Sequence, residues 1–210
     1  MTAPLLEVLD LTLNFGGLVA VSGVSFTIRH EEVMCIIGPN GAGKSTLFNI
    51  ISGIYQPSAG IISLEGSRIS GMPPHRVAVA GIARTFQSSR LFGDLTVLDN
   101  VVIGMHTRTR SGVLDALLRP RHARAELEAA GTRASELLRS LSEDLWERRH
   151  QPAESLPQAD RRRLEIARAL ASEPKLIMLD EPSSGMDDRD TDALIADIRS
   201  VMAERPGLSF

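Results

Sequence analysis

The chain has 210 residues, 43% of them hydrophobic, 23% charged and 4% aromatic. That size and composition suit one globular domain with a real core and exclude collagen, coiled-coil rods and wholesale disorder. A net charge of -3 gives no general attraction to nucleic acid or anionic lipid, and the single cysteine, Cys35, cannot close an intramolecular disulfide.

In chain order, the first third reads as β-rich. Leu5 to Phe15 alternates, with Leu6, Val8, Leu11, Leu13 and Phe15 roughly on one side and Gly16-Gly17 closing the run. Val24 to Ile28 alternates as a half-buried strand does. Val33 to Ile37 is continuously apolar, which predicts a central strand covered on both faces. A glycine-rich turn follows, then a helix over Lys44 to Ile51 stopped by Gly53. Ile61 to Ile69 predicts a hairpin turning at Glu65-Gly66.

Past about residue 95 the pattern becomes helical. Thr96 caps a helix through Met105, and Arg108 to Arg121, punctuated by Arg, Gly and Pro, reads as a linker or insertion. His122 to Leu141 is a charged helix, 151 to 159 a polar loop and Arg161 to Ala171 another helix. Lys175 to Leu179 predicts a second buried strand, and Asp187 to Ala203 a last helix. The expected fold is an α/β core with a mainly parallel sheet and a helical insertion. The N-terminus lacks the pattern of a signal peptide, and no apolar stretch approaches the ~20 residues of a membrane helix. The expectation is a cytosolic protein that deals with any membrane through a partner.

Only two of the 23 basic residues are lysines, Lys44 and Lys175, so the position of each is informative. Gly38-Pro39-Asn40-Gly41-Ala42-Gly43-Lys44-Ser45-Thr46 fits G-x-x-x-x-G-K-[ST] between the apolar run and the helix. Glycines there let successive backbone N–H groups turn inward around phosphate oxygens, and the following helix points its positive N-terminus at the same anion. Lys44 supplies a mobile charge for the β- and γ-phosphates, and the Ser45 hydroxyl is a ligand for Mg²⁺. Leu176 to Leu179 ends in two acids, Asp180 and Glu181. Asp180 is placed to hold Mg²⁺ through its water shell, and Glu181 to act as base for an attacking water. The expected cofactors are ATP and Mg²⁺. A pair of acids after a strand is otherwise a solvated turn; the upstream loop decides between the two readings.

At this point the residues match a known family. Phe15-Gly16-Gly17-Leu18-Val19-Ala20-Val21, Ile82-Ala83-Arg84-Thr85-Phe86-Gln87 and Leu164-Glu165-Ile166-Ala167-Arg168-Ala169-Leu170, in this order around the phosphate loop, resemble the ATP-binding cassette ATPases. Within them, the chain is similar to the LivG-type subunits of branched-chain amino acid importers. The resemblance runs from about residue 5 to the end. It implies a P-loop NTPase core (about 1–90 and 160–210) with an N-terminal antiparallel β-subdomain and a helical subdomain (about 91–160), all in one ATP-binding domain. It also implies a subunit peripheral on the inner face of the cell membrane, bound to permease subunits and to a second ATP-binding subunit, with no nucleic-acid partner.

Carried over by the same resemblance, Phe15 matches the aromatic that stacks on adenine; a strand-end core aromatic is the other reading. Gln87 matches the glutamine that reaches Mg²⁺ and the attacking water. Asp187, in Ser184-Gly185-Met186-Asp187, matches the aspartate of the dimer-interface loop. His30, His75, His106, His122 and His150 show no metal-ligand spacing and read as surface or cap residues, while Trp146 and Tyr55 read as packing. Arg161-Arg162-Arg163 is expected to meet solvent or a carboxylate.

The chain departs from the family in two places. The signature loop, Leu-Ser-Gly-Gly-Gln in the family, aligns with Leu156-Pro157-Gln158-Ala159-Asp160. Pro157 has neither hydroxyl nor N–H, the side chains of Gln158 and Ala159 restrict close backbone approach, and Asp160 as an N-cap would occupy the helix terminus meant for the anion. The other departure is the terminal strand and its γ-phosphate histidine, which have no counterpart up to Phe210, so the cassette is expected to be incomplete at that end. The leading reading is an ATPase subunit that powers import of branched-chain amino acids or a related polar solute. A nucleotide-binding, dimerising subunit with little turnover is the alternative. A soluble cassette ATPase acting on ribosomes or DNA ranks below both.

Overall fold

The computed structural model describes residues 3–85, 91–107 and 120–210. Backbone contacts divide them into two units: one of the residues up to Arg84 with Pro174–Asp180 and Met202–Phe210, the other of Thr85–Glu173 with Glu181–Val201.

In the first unit, β1 (Leu6–Phe15) and β2 (Leu18–Ile28) form an antiparallel hairpin, and β1 pairs on its other edge with β3 (Ala59–Leu64). The two-residue β4 (Ser67–Arg68) completes the sheet order β2-β1-β3-β4, after a turn at Glu65-Gly66. Alternation places Leu6, Val8, Leu11 and Leu13 in the core. The register is irregular between Val8 and Leu11, where Asp10 takes a left-handed φ of 48°. Phe15 ends the strand beyond that core, opposite Leu18, and is 47% exposed.

Helix α1 (Lys44–Ile51) turns Leu47, Ile50 and Ile51 into the same core, and the Gly53 N–H closes its end on the Ile50 carbonyl at 3.0 Å. A short helix, α2 (Pro74–Ala80), starts on the fixed φ of a proline in its first turn and leads through Gly81 into β5 (Ile82–Arg84). Strand β5 pairs in parallel with the buried β6 (Leu176–Met178). Residues 208–210 lie along β6, with Ser209 N–H on the Lys175 carbonyl and Ile177 N–H on that of Ser209, both at 2.9 Å. Lys175 spreads its stem over Gly81 and pairs with Glu65, so the second lysine ties the end of the β3–β4 hairpin to the start of β6.

The expected strand over Val33 to Ile37 is not formed. Only its first residues pair: Phe210 N–H meets the Glu32 carbonyl at 3.0 Å, and Met34 N–H meets that of Phe210 at 2.8 Å. Among the described residues the ladder goes no farther than Met34. Val33 is 54% and Ile37 92% exposed, and Cys35 is exposed as well. Continuous apolarity is a statement about what would cover the run, and among the described residues nothing covers Ile37.

The second unit is helical: α3 (Val97–Gly104), α4 (Pro120–Leu141), α5 (Glu143–Glu147), α6 (Gln158–Leu170) and most of α7 (Asp188–Glu204). Thr96 and Asp99 close a capping box at the start of α3. The fully buried Asn100 braces the preceding loop through the N–H and C=O of Phe92 and the C=O of Thr96. Leu138, Leu145, Leu164, Leu170 and Val101 form the core, and α3 packs on both α4 and α6. At Gly104 the two helices come so close that a Cβ would lie 2.3 Å from the Arg168 carbonyl oxygen. Trp146 donates to Ser135 Oγ at 3.0 Å, while the guanidinium carbons of Arg149 and Arg139 lie 4.2 and 4.9 Å from its ring centroid. Of the expected 108–121 insertion, residues 108–119 fall outside the described residues, and Pro120 and Arg121 open α4.

Candidate active site

The phosphate loop lies in the first unit, where the sequence predicts it. Gly43, in the left-handed conformation at φ 86°, immediately precedes α1, and a Cβ there would lie 2.6 Å from the Ala20 carbonyl oxygen of β2. Glycine is therefore required twice over, by conformation and by contact. Helix α1 has no side-chain cap and no acidic residue in its first turn, so its leading N–H groups and the positive end of its dipole face no carboxylate of their own. Lys44 Nζ donates to the carbonyls of Gly38 (2.6 Å) and Pro39 (3.0 Å), folding the ammonium over the loop it is expected to serve. Gly38, Pro39, Asn40, Gly41, Ala42 and Ser45 are exposed; Thr46 is half-buried. A helix start without a side-chain cap or an acid in its first turn suits a phosphate.

Asp180 sits just beyond β6 and is held by Arg84 at the end of β5, Nη2 to Oδ2 at 2.9 Å, with side chains 12% and 8% exposed. The other guanidinium arm of Arg84 donates to Asn49 Oδ1 (2.6 Å) and Ser52 Oγ (3.1 Å), at the end of α1, and its Cζ lies 5.6 Å from the Phe48 ring centroid. Asn49 also accepts the Tyr55 N–H on its carbonyl, and the Tyr55 ring meets Phe15 edge-on at 5.3 Å. One helix thus links the aromatic end of the β1–β2 hairpin to the acid beyond β6. Tyr55, expected only to pack, does so in a half-exposed pair with Phe15. The Ser45 hydroxyl and the Asp180 carboxylate are hard oxygen donors of the kind Mg²⁺ takes.

The remaining predicted residues belong to the second unit, apart from Gln87, which lies outside the described residues. Glu181 is exposed and takes a left-handed φ of 48°, a conformation uncommon for a residue with a side chain, and its carbonyl accepts the Ser184 N–H at 3.1 Å. Asp187 Oδ1 accepts the Asp190 N–H at 2.8 Å and so caps α7.

In the signature segment, Leu156 is buried, Pro157 is the N-cap of α6 without a side-chain cap bond, and Gln158 and Ala159 are its first helical residues. Asp160 is not the N-cap that the sequence suggests. The helix starts three residues earlier than Arg161, and the buried Asp160 carboxylate turns to Arg163 (3.2 Å) and Arg148 (3.4 Å). The three arginines are all engaged: Arg161 on the carbonyls of Leu156 (2.8 Å) and Glu154, Arg162 with Glu165 (3.0 Å), Arg163 with Asp160 and Asp197 (2.7 Å). Burial opposes the charge of Arg163, yet the hydrogen bonds and charges of Asp197 and Asp160 outweigh it and raise its pKa above the usual guanidinium value. Burial pushes Arg168 the other way, against the pull of Glu165. All five histidines are exposed.

Sequence reasoning missed the grip of Arg84, itself held by Asn49 and Ser52, on Asp180. Arg84 and Asp180 are 96 residues apart, and nothing local to either marks the pair.

The chain is similar to proteins of one known family. The family described as ABC transporter matches residues 21–184. The chain is 42% identical over 204 residues to the high-affinity branched-chain amino acid transport ATP-binding protein BraF of Pseudomonas aeruginosa, covering 95% of this chain and 79% of that protein. The chain belongs to the ABC transporter family. LivG of Salmonella typhimurium, with the same descriptive name, is 41% identical over the same shares, and the ribose import ATP-binding protein RbsA of Rhodococcus jostii is 33% identical over 99% of this chain and 39% of its own. Among solved structures, a nucleotide-free ATP-binding cassette from an ABC transporter superposes with a TM-score of 0.83 at 28% identity, covering 99% of this chain and 80% of that one. The ADP conformation of such a cassette gives 0.82 at 28% identity, covering 100% and 80%. Nucleotide binding and the P-loop NTPase fold of this ABC transporter family follow. No helix among the described residues is long and apolar enough to cross a membrane.

Proposed function

We infer that the chain is the ATP-hydrolysing subunit of an ABC importer and that it powers uptake of branched-chain amino acids or a related polar solute. The observation that carries this reading is the phosphate loop: α1 begins on a left-handed glycine, uncapped and without an acid in its first turn, with Lys44 folded over the loop carbonyls. The loop and the helix terminus bind the phosphates, and Lys44 exchanges its two carbonyls for phosphate oxygens as ATP enters. Phe15, backed by Tyr55, offers an exposed ring face to adenine. Ser45, Asp180 and Gln87 would hold Mg²⁺, which neutralises phosphate charge when bound. Glu181 takes the proton of the attacking water.

The subunit works at the inner membrane face, on permease subunits and with a second ATP-binding subunit, which it meets through residues 156–160 and Asp187. The relatives named as transport ATP-binding proteins weigh against a subunit of little turnover.

The test is ATP turnover and nucleotide affinity of the purified subunit, with solute uptake after reconstitution with its permease. Lys44→Ala is expected to lose nucleotide affinity and turnover together. Glu181→Gln is expected to keep its affinity while turnover falls about 10²- to 10⁴-fold. Turnover that survives both changes, or a wild type that binds no ATP, refutes the assignment.

A further inference from the structure

We propose that Arg84 is the resident counter-ion of Asp180, sharing its carboxylate with the incoming metal so that metal binding becomes conditional on nucleotide. Three observations carry this. First, both side chains are largely withdrawn from water, at 8% and 12% exposure, where a carboxylate without a cation is destabilising. Arg84 therefore supplies, in the protein without nucleotide, the positive charge that a divalent ion would otherwise bring.

Second, the ion pair uses one carboxylate oxygen, Oδ2, and among the described residues the other accepts no hydrogen bond. A carboxylate has lone pairs for both partners at once. Third, Arg84 is anchored independently of Asp180 by two neutral acceptors, Asn49 Oδ1 and Ser52 Oγ, and by the face of Phe48. When Asp180 turns toward a metal, the guanidinium keeps partners and is not orphaned. A pair built only to join β5 to β6 would have no need of that second set. The guanidinium charge weakens attraction of a free divalent cation to Asp180, and phosphate oxygens on the adjacent loop restore it. The inference rests on the nucleotide-binding reading above.

The test is Mn²⁺ binding to the full chain, followed by the electron-spin resonance of free Mn²⁺, with and without ADP. Arg84→Met and Arg84→Gln are expected to bind Mn²⁺ about tenfold more tightly than wild type without nucleotide, and to lose a similar factor of the ADP-induced gain. Asp180→Asn, added to Arg84→Met, abolishes the new affinity. Nucleotide-free affinity within about threefold of wild type, or weaker, in a folded variant overturns the proposal. Should neither variant fold, the wild-type Arg84 side-chain nitrogen resonances decide. They shift with ADP and Mg²⁺ but not with ADP and chelator if the carboxylate is shared, and an unmoved signal overturns it. A wild type that binds no ADP refutes the functional reading instead, and the nucleotide-free arm still judges Arg84.

Discussion

Gly43→Ala separates the two demands that the structure makes on the phosphate loop. At φ 86° an alanine costs roughly 1–2 kcal/mol for its left-handed backbone alone. Its Cβ would also meet the Ala20 carbonyl oxygen at 2.6 Å, and overpacking against a backbone atom adds about 1–3 kcal/mol. Gly41 is the internal control: its φ is 83°, but no atom lies within 4 Å of a Cβ placed there. Gly41→Ala is thus expected to cost about 1–2 kcal/mol and Gly43→Ala about 2–5 kcal/mol.

Where that energy appears depends on the loop. A loop that stays seated loses stability, read from urea unfolding. One that lifts off β2 carries the start of α1 and Lys44 with it, and affinity for a fluorescent ATP analogue falls about tenfold per 1.4 kcal/mol. The summed loss is the predicted quantity. A Gly43→Ala protein whose combined loss does not exceed that of Gly41→Ala would refute the close-approach reasoning.

Gly104→Ala forces a methyl into the 2.3 Å approach to the Arg168 carbonyl; a loss of about 1–3 kcal/mol is expected in urea unfolding, against the small gain that alanine usually brings to a helix. In the proposed dimer, the combined change P157S/Q158G/A159G/D160Q is expected to raise turnover about 10²-fold at the site assigned to this loop. That site is isolated in mixed dimers whose other site carries Glu181→Gln, and full turnover there with the unaltered loop sinks the idea.

Much of the first unit was legible because its boundaries are chemical. Lys44 to Ile51 is bracketed by Gly43 and Gly53, and the helix runs over those residues in the structure. The β3–β4 hairpin follows from alternation turned at Glu65-Gly66, whereas of β2 (Leu18–Ile28) the alternation gave only the part from Val24 on. Helix α2 went unread, although Pro73-Pro74 suits a first helical turn. Val33 to Ile37 misled because apolar continuity encodes a need for cover, not its presence. Asp160 misled by a three-residue shift in where α6 begins, which moved its carboxylate from a cap to the two arginines. Of the arginines at 161–163, expected to meet solvent or a carboxylate, Arg162 and Arg163 meet carboxylates and Arg161 takes backbone carbonyls. The Arg84–Asp180 pair was out of reach, being a property of which strands adjoin.

Trp146, held between two guanidinium groups and a serine, is the chain's only tryptophan, and Tyr55 its only tyrosine. Each unit therefore carries its own chromophore. Long-wavelength excitation selects the indole, so its emission follows the melting of the helical unit alone. Tyrosine emission, with the indole signal subtracted, follows the aromatic end of the β1–β2 hairpin. A single unlabelled sample in a fluorimeter can then tell whether the two units melt together or in turn.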